Sequence, residues 1–223
     1  MKDAPSRLLA EFLGVFFLCL FGIGAILNTA GQPNNGGLVA VALAHGLAIF
    51  IAVCAFAHIS GAHFNPAITV AMAATKRISL VDGVAYIVAQ LLGGVAAAAL
   101  AKYAYSNIAS GVPALAPTVS TSQGILIEAV ATFALVIAVM GVAVDSRGTF
   151  AAVAGLPIGL MITADILWAG PATGAAMNPA RWFGPALING GMSNAIVWII
   201  GPIVGALVAV YAYDLVMKPV KAS

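Results

Sequence analysis

Six stretches of the chain run almost without polar residues, roughly 8–28, 38–57, 81–103, 123–144, 150–168 and 194–216. Each holds about 20 apolar residues, the length a helix needs to cross a hydrocarbon core of about 30 Å. Two shorter apolar segments stand between them, about 65–75 and 178–187. At about 1.5 Å per residue each reaches about 15 Å, half of that core. Neither spans alone, but two meeting head to head would span together. The pattern predicts an all-α membrane protein with six transmembrane helices and two re-entrant half-helices.

Composition agrees with this reading. The 223 residues are 62% hydrophobic and only 7% charged, where a soluble domain carries about 25%. Such a chain cannot cover a globule with polar surface, so its solvent is the lipid bilayer. Nine basic residues stand against seven acidic ones. They form no basic patch, which argues against nucleic-acid binding. Cys19 and Cys54 lie in apolar runs and read as small core residues. No metal-ligand cluster and no nucleophile–base set is visible, so no metal, cofactor or enzymatic activity is expected. The first apolar run has no clear small-residue cleavage site after it and reads as a retained span.

The basic residues set the orientation. Lys2, Arg7, Lys76, Arg77, Arg147, Lys218 and Lys221 fall at the N-terminus, after the first short segment, between spans four and five, and at the C-terminus. Six spans place all four regions on one side, which the positive-inside rule makes cytoplasmic. The opposite loops carry no charge. Lys102, at the outer end of span three, is expected to snorkel to the interface. Arg181 lies deep in an apolar stretch and needs another account. Short tails without regulatory motifs suggest a plasma-membrane protein of a prokaryote.

The two halves, about 1–110 and 118–223, repeat one another. Glu11 and Glu128 each lie in the first span of their half. Gly46 precedes Asn65 by 19 positions, and Gly159 precedes Asn178 by the same 19. Gly61 and Gly174 each stand four residues before an Asn-Pro-Ala. Three spans per half is an odd number, so the halves are inverted in the membrane. Inverted 3+3 repeats occur in channels and transporters whose site lies near the midplane. The first short segment enters from the cytoplasm and the second from outside. Each descends as a loop, "HISGAHF" or "AGPATGAAM". Non-helical backbone at that depth must line water or be buried in protein. The carbonyls of Gly61, Ala62, His63 and Phe64, and of Gly174, Ala175, Ala176 and Met177, are therefore candidates to line a pore.

Asn65-Pro66-Ala67 and Asn178-Pro179-Ala180 read as helix starts. Asparagine is a strong N-cap, and proline is favoured at the first helical position. Two helix starts meeting mid-membrane aim two positive dipole ends at one spot. The Asn65 and Asn178 amides can donate there. Water can accept from them, whereas a hydronium or metal cation is repelled.

"SGAHFNPA", "TGAAMNPARWFGPA" and "AEFLG", set in matched halves, resemble the aquaporin (major intrinsic protein) family over essentially the whole chain. The resemblance implies a channel that assembles as a homotetramer, each protomer with its own pore. It also implies a narrow filter near the outer mouth, whose four positions fall on His45, Ile166, Ala175 and Arg181. Trp182 follows the arginine, where the family's glycerol channels tend to have Asp. The His–Ile–Ala–Arg set resembles the tonoplast-type channels and their ammonia-conducting relatives. Water and ammonia are the implied cargo, with hydrogen peroxide or urea as further candidates.

Several polar residues admit more than one reading. His58 and His63, placed in the first loop, are a relay or metal site, or lend only backbone carbonyls while their side chains make loop contacts. Glu11 and Glu128 accept hydrogen bonds from the loops, or serve ion transport. Asp165 is about 100° around its helix from Ile166. It anchors the second loop, or pairs with Arg181 or His45. His45 is expected to offer a ring nitrogen across from the arginine. A glycerol or urea facilitator is the nearest alternative function. A proton-coupled transporter is more remote, because the expected lining is amide, carbonyl, aliphatic and one arginine.

Overall fold

A computed structural model describes residues 3–29, 37–148 and 151–217. Lys2, Lys218, Lys221 and most of the first outer loop lie outside them. Among the described residues all regular structure is helical. The helices are α1 (Ala4–Thr29), α2 (Gly37–Ser60), α3 (Pro66–Ala74), α4 (Leu80–Tyr105), α5 (Thr121–Val139), α6 (Gly155–Thr173), α7 (Pro179–Asn189) and α8 (Ala195–Ala212). Single π-helical turns extend α5 through Val144 and α8 through Met217. With these turns, six elements of 19 to 26 residues are long and apolar enough to cross a membrane. The 9 residues of α3 and 11 of α7 are not.

Exposed leucines and valines such as Leu92, Val130, Leu160 and Val208 cover the perimeter. Exposed apolar surface on that scale is stable only against lipid. Polar side chains are turned inward instead. Glu11, His45, Asn65, Gln90, Glu128, Asn178 and Arg181 are all buried.

Small residues bring the halves together. Gly46 on α2 and Gly159 on α6 face each other. A methyl group built on either would lie 2.5 or 2.4 Å from the other's carbonyl oxygen. Without a hydrophobic drive between helices in lipid, such backbone approach is how they hold. α1 packs on α2 and α4, and α5 packs on α8 and less extensively on α6. α3 and α7 fill the space between the two groups.

The structure moves some boundaries. Span five runs from Gly155 to Thr173, not 150–168. Hydropathy falls at "AGPAT", yet Pro171 sits in the last turn, where it removes only one helical hydrogen bond. α2 likewise continues to Ser60. The non-helical loops are thus shorter than expected, residues 61–64 and 174–177. His58 is consequently helical and exposed, not part of the loop. Cys54 is exposed, while Cys19 is in the core. Lys102 does more than snorkel. Its Nζ donates to the Ile188 carbonyl at 2.9 Å, capping the negative end of α7.

On the basic side, polar ties join the segments. Arg77 pairs with Asp214 at 2.7 Å. Arg147 pairs with Asp145 and donates to the Met217 carbonyl at 2.9 Å. The Arg147 hydrogen bonds hold the Asp145 carboxyl well below the usual carboxylate range.

Candidate functional site

The two half-helices meet tip to tip. Asn65 caps α3, its side-chain oxygen accepting from Ala67 N at 2.9 Å. Asn178 caps α7 in the same way, accepting from Ala180 N at 2.9 Å and Arg181 N at 3.3 Å. The amide nitrogens then cross over. Asn65 Nδ2 donates to the Met177 carbonyl and Asn178 Nδ2 donates to the Phe64 carbonyl, both at 2.8 Å. Each amide carries two N–H groups. One therefore locks the halves together, and the second is left for the cavity that both asparagines line.

The loops that deliver the asparagines share an unusual backbone. Gly61, Ala62 and Phe64 have φ of 85°, 52° and 48°; Gly174, Ala175 and Met177 have 80°, 42° and 53°. Positive φ costs a non-glycine residue about 1–2 kcal/mol. Strain of this kind persists where its surroundings over-determine it, and here a buried carboxylate does so in each half. Glu11 accepts from Ser60 Oγ at 2.7 Å, His63 N at 2.9 Å and Phe64 N at 2.6 Å. Glu128 accepts from Thr173 Oγ1 at 2.6 Å, Ala176 N at 2.9 Å and Met177 N at 2.6 Å. Successive N–H groups turned to one anion form a nest.

The nest decides where the carbonyls go. In a planar trans peptide the C=O points opposite to the following N–H. With the amides of His63, Phe64, Ala176 and Met177 held by carboxylates, the carbonyls of Ala62, His63, Ala175 and Ala176 point away from them, and these four residues line the cavity. The Phe64 and Met177 carbonyls are taken by the opposite asparagine. Gly174 borders a second, outer cavity, and Gly61 is exposed and lines neither.

The first cavity is walled by His45, Ile166, Ala175 and Arg181 at one end and by Val53, Val139 and Ile158 at the other. The outer cavity reaches Leu38, Val112 and Pro113 and shares Ile166 and Arg181 with the first. Those two residues therefore mark the passage between them. Arg181 is buried, and its Nη2 lies 2.9 Å from His45 Nε2. His45 Nδ1 lies 2.8 Å from the Val41 carbonyl. A carbonyl only accepts and a guanidinium only donates. His45 is therefore the neutral Nδ1–H tautomer with its Nε2 lone pair turned to Arg181. Both ring nitrogens are committed, and none is left for a solute. Arg181 Nη1 is buried with no partner among the described residues.

Trp182, next to the arginine, is buried and stacks on Trp198 with ring centroids 5.6 Å apart. Trp198 Nε1 donates to the Thr173 carbonyl at 3.0 Å. The tryptophan thus braces α7 from behind and leaves the lumen to Arg181. His63 lines the cavity, with Nδ1 3.1 Å from Thr69 Oγ1 and its ring edge-on to Tyr86 at 5.3 Å.

Asp165 does not take the places expected of it. Its Oδ2 is buried without a hydrogen-bond partner among the described residues, and Asp165 lines neither cavity. Glu128, not Asp165, holds the second loop. Asp165→Asn is expected to yield monodisperse protein with parental flux, because it removes no hydrogen bond. Aggregation of that variant on size-exclusion chromatography would show that the carboxylate holds a partner.

Three contributors escaped the sequence reading. Ser60 and Thr173 each support a glutamate and the amide two residues on. Both stand five positions before their asparagine, so the repeat spacing carried that signal. Gln90 Nε2 donates to Glu11 at 2.8 Å and to Thr69 at 3.0 Å. A lone amide in an apolar span was its only signal.

The family described as Major intrinsic protein matches residues 2–213. The chain is similar to "Probable aquaporin TIP3-2" of Arabidopsis thaliana, 42% identical over 97% of this chain and 85% of that protein. It is also similar to "Aquaporin NIP1-1" of Zea mays, 39% identical over 95% of this chain and 74% of that one. Among solved structures, the aquaglyceroporin from Plasmodium falciparum superposes with a TM-score of 0.88 at 26% identity, covering 97% of this chain and 98% of that one.

Proposed function

The chain belongs to the major intrinsic protein family, whose members form channels for water and small solutes, and we propose that this one passes water together with ammonia while rejecting protons and other cations. The constriction carries the reading. At the residues shared by both cavities the wall is one arginine and one isoleucine, with Ala175 and His45 beside them. In aquaporin-type pores an arginine and the positive ends of half-helices exclude cations. Here Arg181, the starts of α3 and α7, and the two asparagine amides all bring positive potential to one path.

A solute at the constriction meets the guanidinium of Arg181, of which only Nη2 is tied to His45, on an otherwise aliphatic wall. Ammonia and water each have a lone pair to accept from the guanidinium, and ammonium has none. Ammonia is also the less strongly hydrated of the two neutral solutes, so an aliphatic wall penalises it less. The small Ala175 leaves room for either. We assign the filter to His45, Ile166, Ala175 and Arg181, and place the termini on the basic, cytoplasmic side. Assembly as a homotetramer completes the proposal.

Stopped-flow entry of water, ammonia and glycerol into proteoliposomes tests it. Water and ammonia should both enter well above empty vesicles, and glycerol far more slowly. His45→Phe fills the filter with a larger ring and should lower ammonia flux relative to water by about tenfold, the effect of about 1.4 kcal/mol. An unchanged ratio removes His45 from the filter. Glycerol entry at the rate of ammonia would make the protein a polyol facilitator instead.

A further inference from the structure

The His45 ring lies against α1, the helix that contributes Ile26 to the outer cavity. A methyl group built on Gly22 of α1 would stand 2.2 Å from His45 Nε2 and 2.6 Å from Cδ2 and Cε1. No side chain fits there. The imidazole occupies the volume that any residue other than glycine would claim.

We propose that Gly22 is a positioning residue of the channel: it seats the His45 imidazole off the pore axis, where Nε2 takes one arm of Arg181 and leaves the other arm to the solute. The inference rests on the filter assignment above and adds to it a positioning residue on a helix that supplies no filter side chain.

Three observations carry it. First, the ring cannot sidestep the added methyl cheaply. Its Nδ1 is tied to the Val41 carbonyl at 2.8 Å and its Nε2 to Arg181 at 2.9 Å. His45 is 1% exposed, and the open volume it borders is the cavity itself. Displacement would therefore drive the ring into the lumen and separate it from Arg181.

Second, the repeat supplies an internal comparison. Eleven positions after Glu11 stands Gly22, and eleven after Glu128 stands Val139; one before Gly46 stands His45, and one before Gly159 stands Ile158. At the inner end Val139 and Ile158 both line the cavity. At the outer end the ring takes the equivalent wall alone, and its α1 partner has shrunk to glycine. The two mouths are thus built from the same positions with opposite divisions of volume.

Third, the three atoms nearest to a methyl built on Gly22 all belong to the His45 ring. In a helix interior alanine is favoured over glycine by about 1 kcal/mol. A methyl built on Gly24, two residues on, would stand 3.6 Å from its nearest neighbour, the Tyr105 hydroxyl. It serves as the control for a generic glycine effect.

The test compares Gly22→Ala, His45→Ala, the double variant and Gly24→Ala in proteoliposomes, with water and ammonia flux as readouts. ¹⁵N NMR of labelled histidine reports the ring tautomer in parallel. Gly22→Ala should lower both fluxes by about tenfold, the range of a tightly overpacked site, and the His45 Nδ1–H signature should be lost. Adding His45→Ala should restore flux to that of His45→Ala alone, and Gly24→Ala should conduct as the parent. If Gly22→Ala does not fold, recovery of folded protein in the double variant supports the seat, and failure to recover overturns it. Unchanged flux and tautomer in Gly22→Ala, with selectivity shifted in His45→Ala, overturns the role of Gly22 while the filter assignment stands. If neither variant alters any flux, the filter assignment itself falls, and the inference with it.

Discussion

Glu128→Leu should abolish the folded channel. The substitution leaves Thr173 Oγ1 and the amides of Ala176 and Met177 without their acceptor. Each buried unsatisfied group costs about 1–3 kcal/mol. The same contacts hold Ala175 and Met177 at φ of 42° and 53°, conformations that cost about 1–2 kcal/mol apiece once nothing enforces them. The total approaches the whole stability of a typical domain, about 5–15 kcal/mol. The expected result is aggregation on detergent extraction and water flux at the level of empty vesicles. Glu128→Gln should fall between, because one amide oxygen still accepts while the new NH₂ faces donors. Glu11→Leu should behave like Glu128→Leu, since Glu11 serves four donors, Gln90 included. A Glu128→Leu channel with parental melting temperature and flux would show that the second loop is held by something else.

On the proposed function, Arg181→Val should raise the cation leak of the pore. One unit charge about 4 Å from the path is worth about 4 kcal/mol at an effective dielectric of 20. That loss corresponds to a leak on the order of a thousandfold higher, while the two half-helix starts, which contribute about half a charge each, remain and keep it below free diffusion. Water flux should hold or increase, because valine is smaller. A pH-sensitive dye trapped in vesicles, with a valinomycin-clamped potassium gradient, reads the proton leak directly. Arg181→Lys should retain most of the exclusion, since the charge remains while the fork that reaches His45 is lost. A leak at background in Arg181→Val would reduce the arginine to a structural brace for His45.

Much of this architecture was legible in the chain because it is written in local quantities. Apolar length fixes which segments cross a bilayer. An Asn-Pro pair fixes a helix start through capping and the proline's missing donor. Repeated spacing exposes the pairing of Glu11 with Glu128 and of Asn65 with Asn178. What hydropathy misjudged were helix ends. "HIS" and "AGPAT" are polar or small, yet both stay helical until Gly61 and Gly174 turn at positive φ.

The chemistry of the site was decided elsewhere. The contacts that fix it join residues 112, 114 and 136 positions apart. No local pattern reports which nitrogen of His45 faces Arg181, or that a glycine on α1 makes room for it. Sequence placed Asp165 beside Ile166, but only packing turned its side chain away from both cavities. The chain by itself determined that six helices and two half-helices fill a membrane, because burial in lipid depends on composition and length. Only the tertiary structure decided where each donor and acceptor points, because a hydrogen bond depends on direction, and direction is settled when distant segments meet.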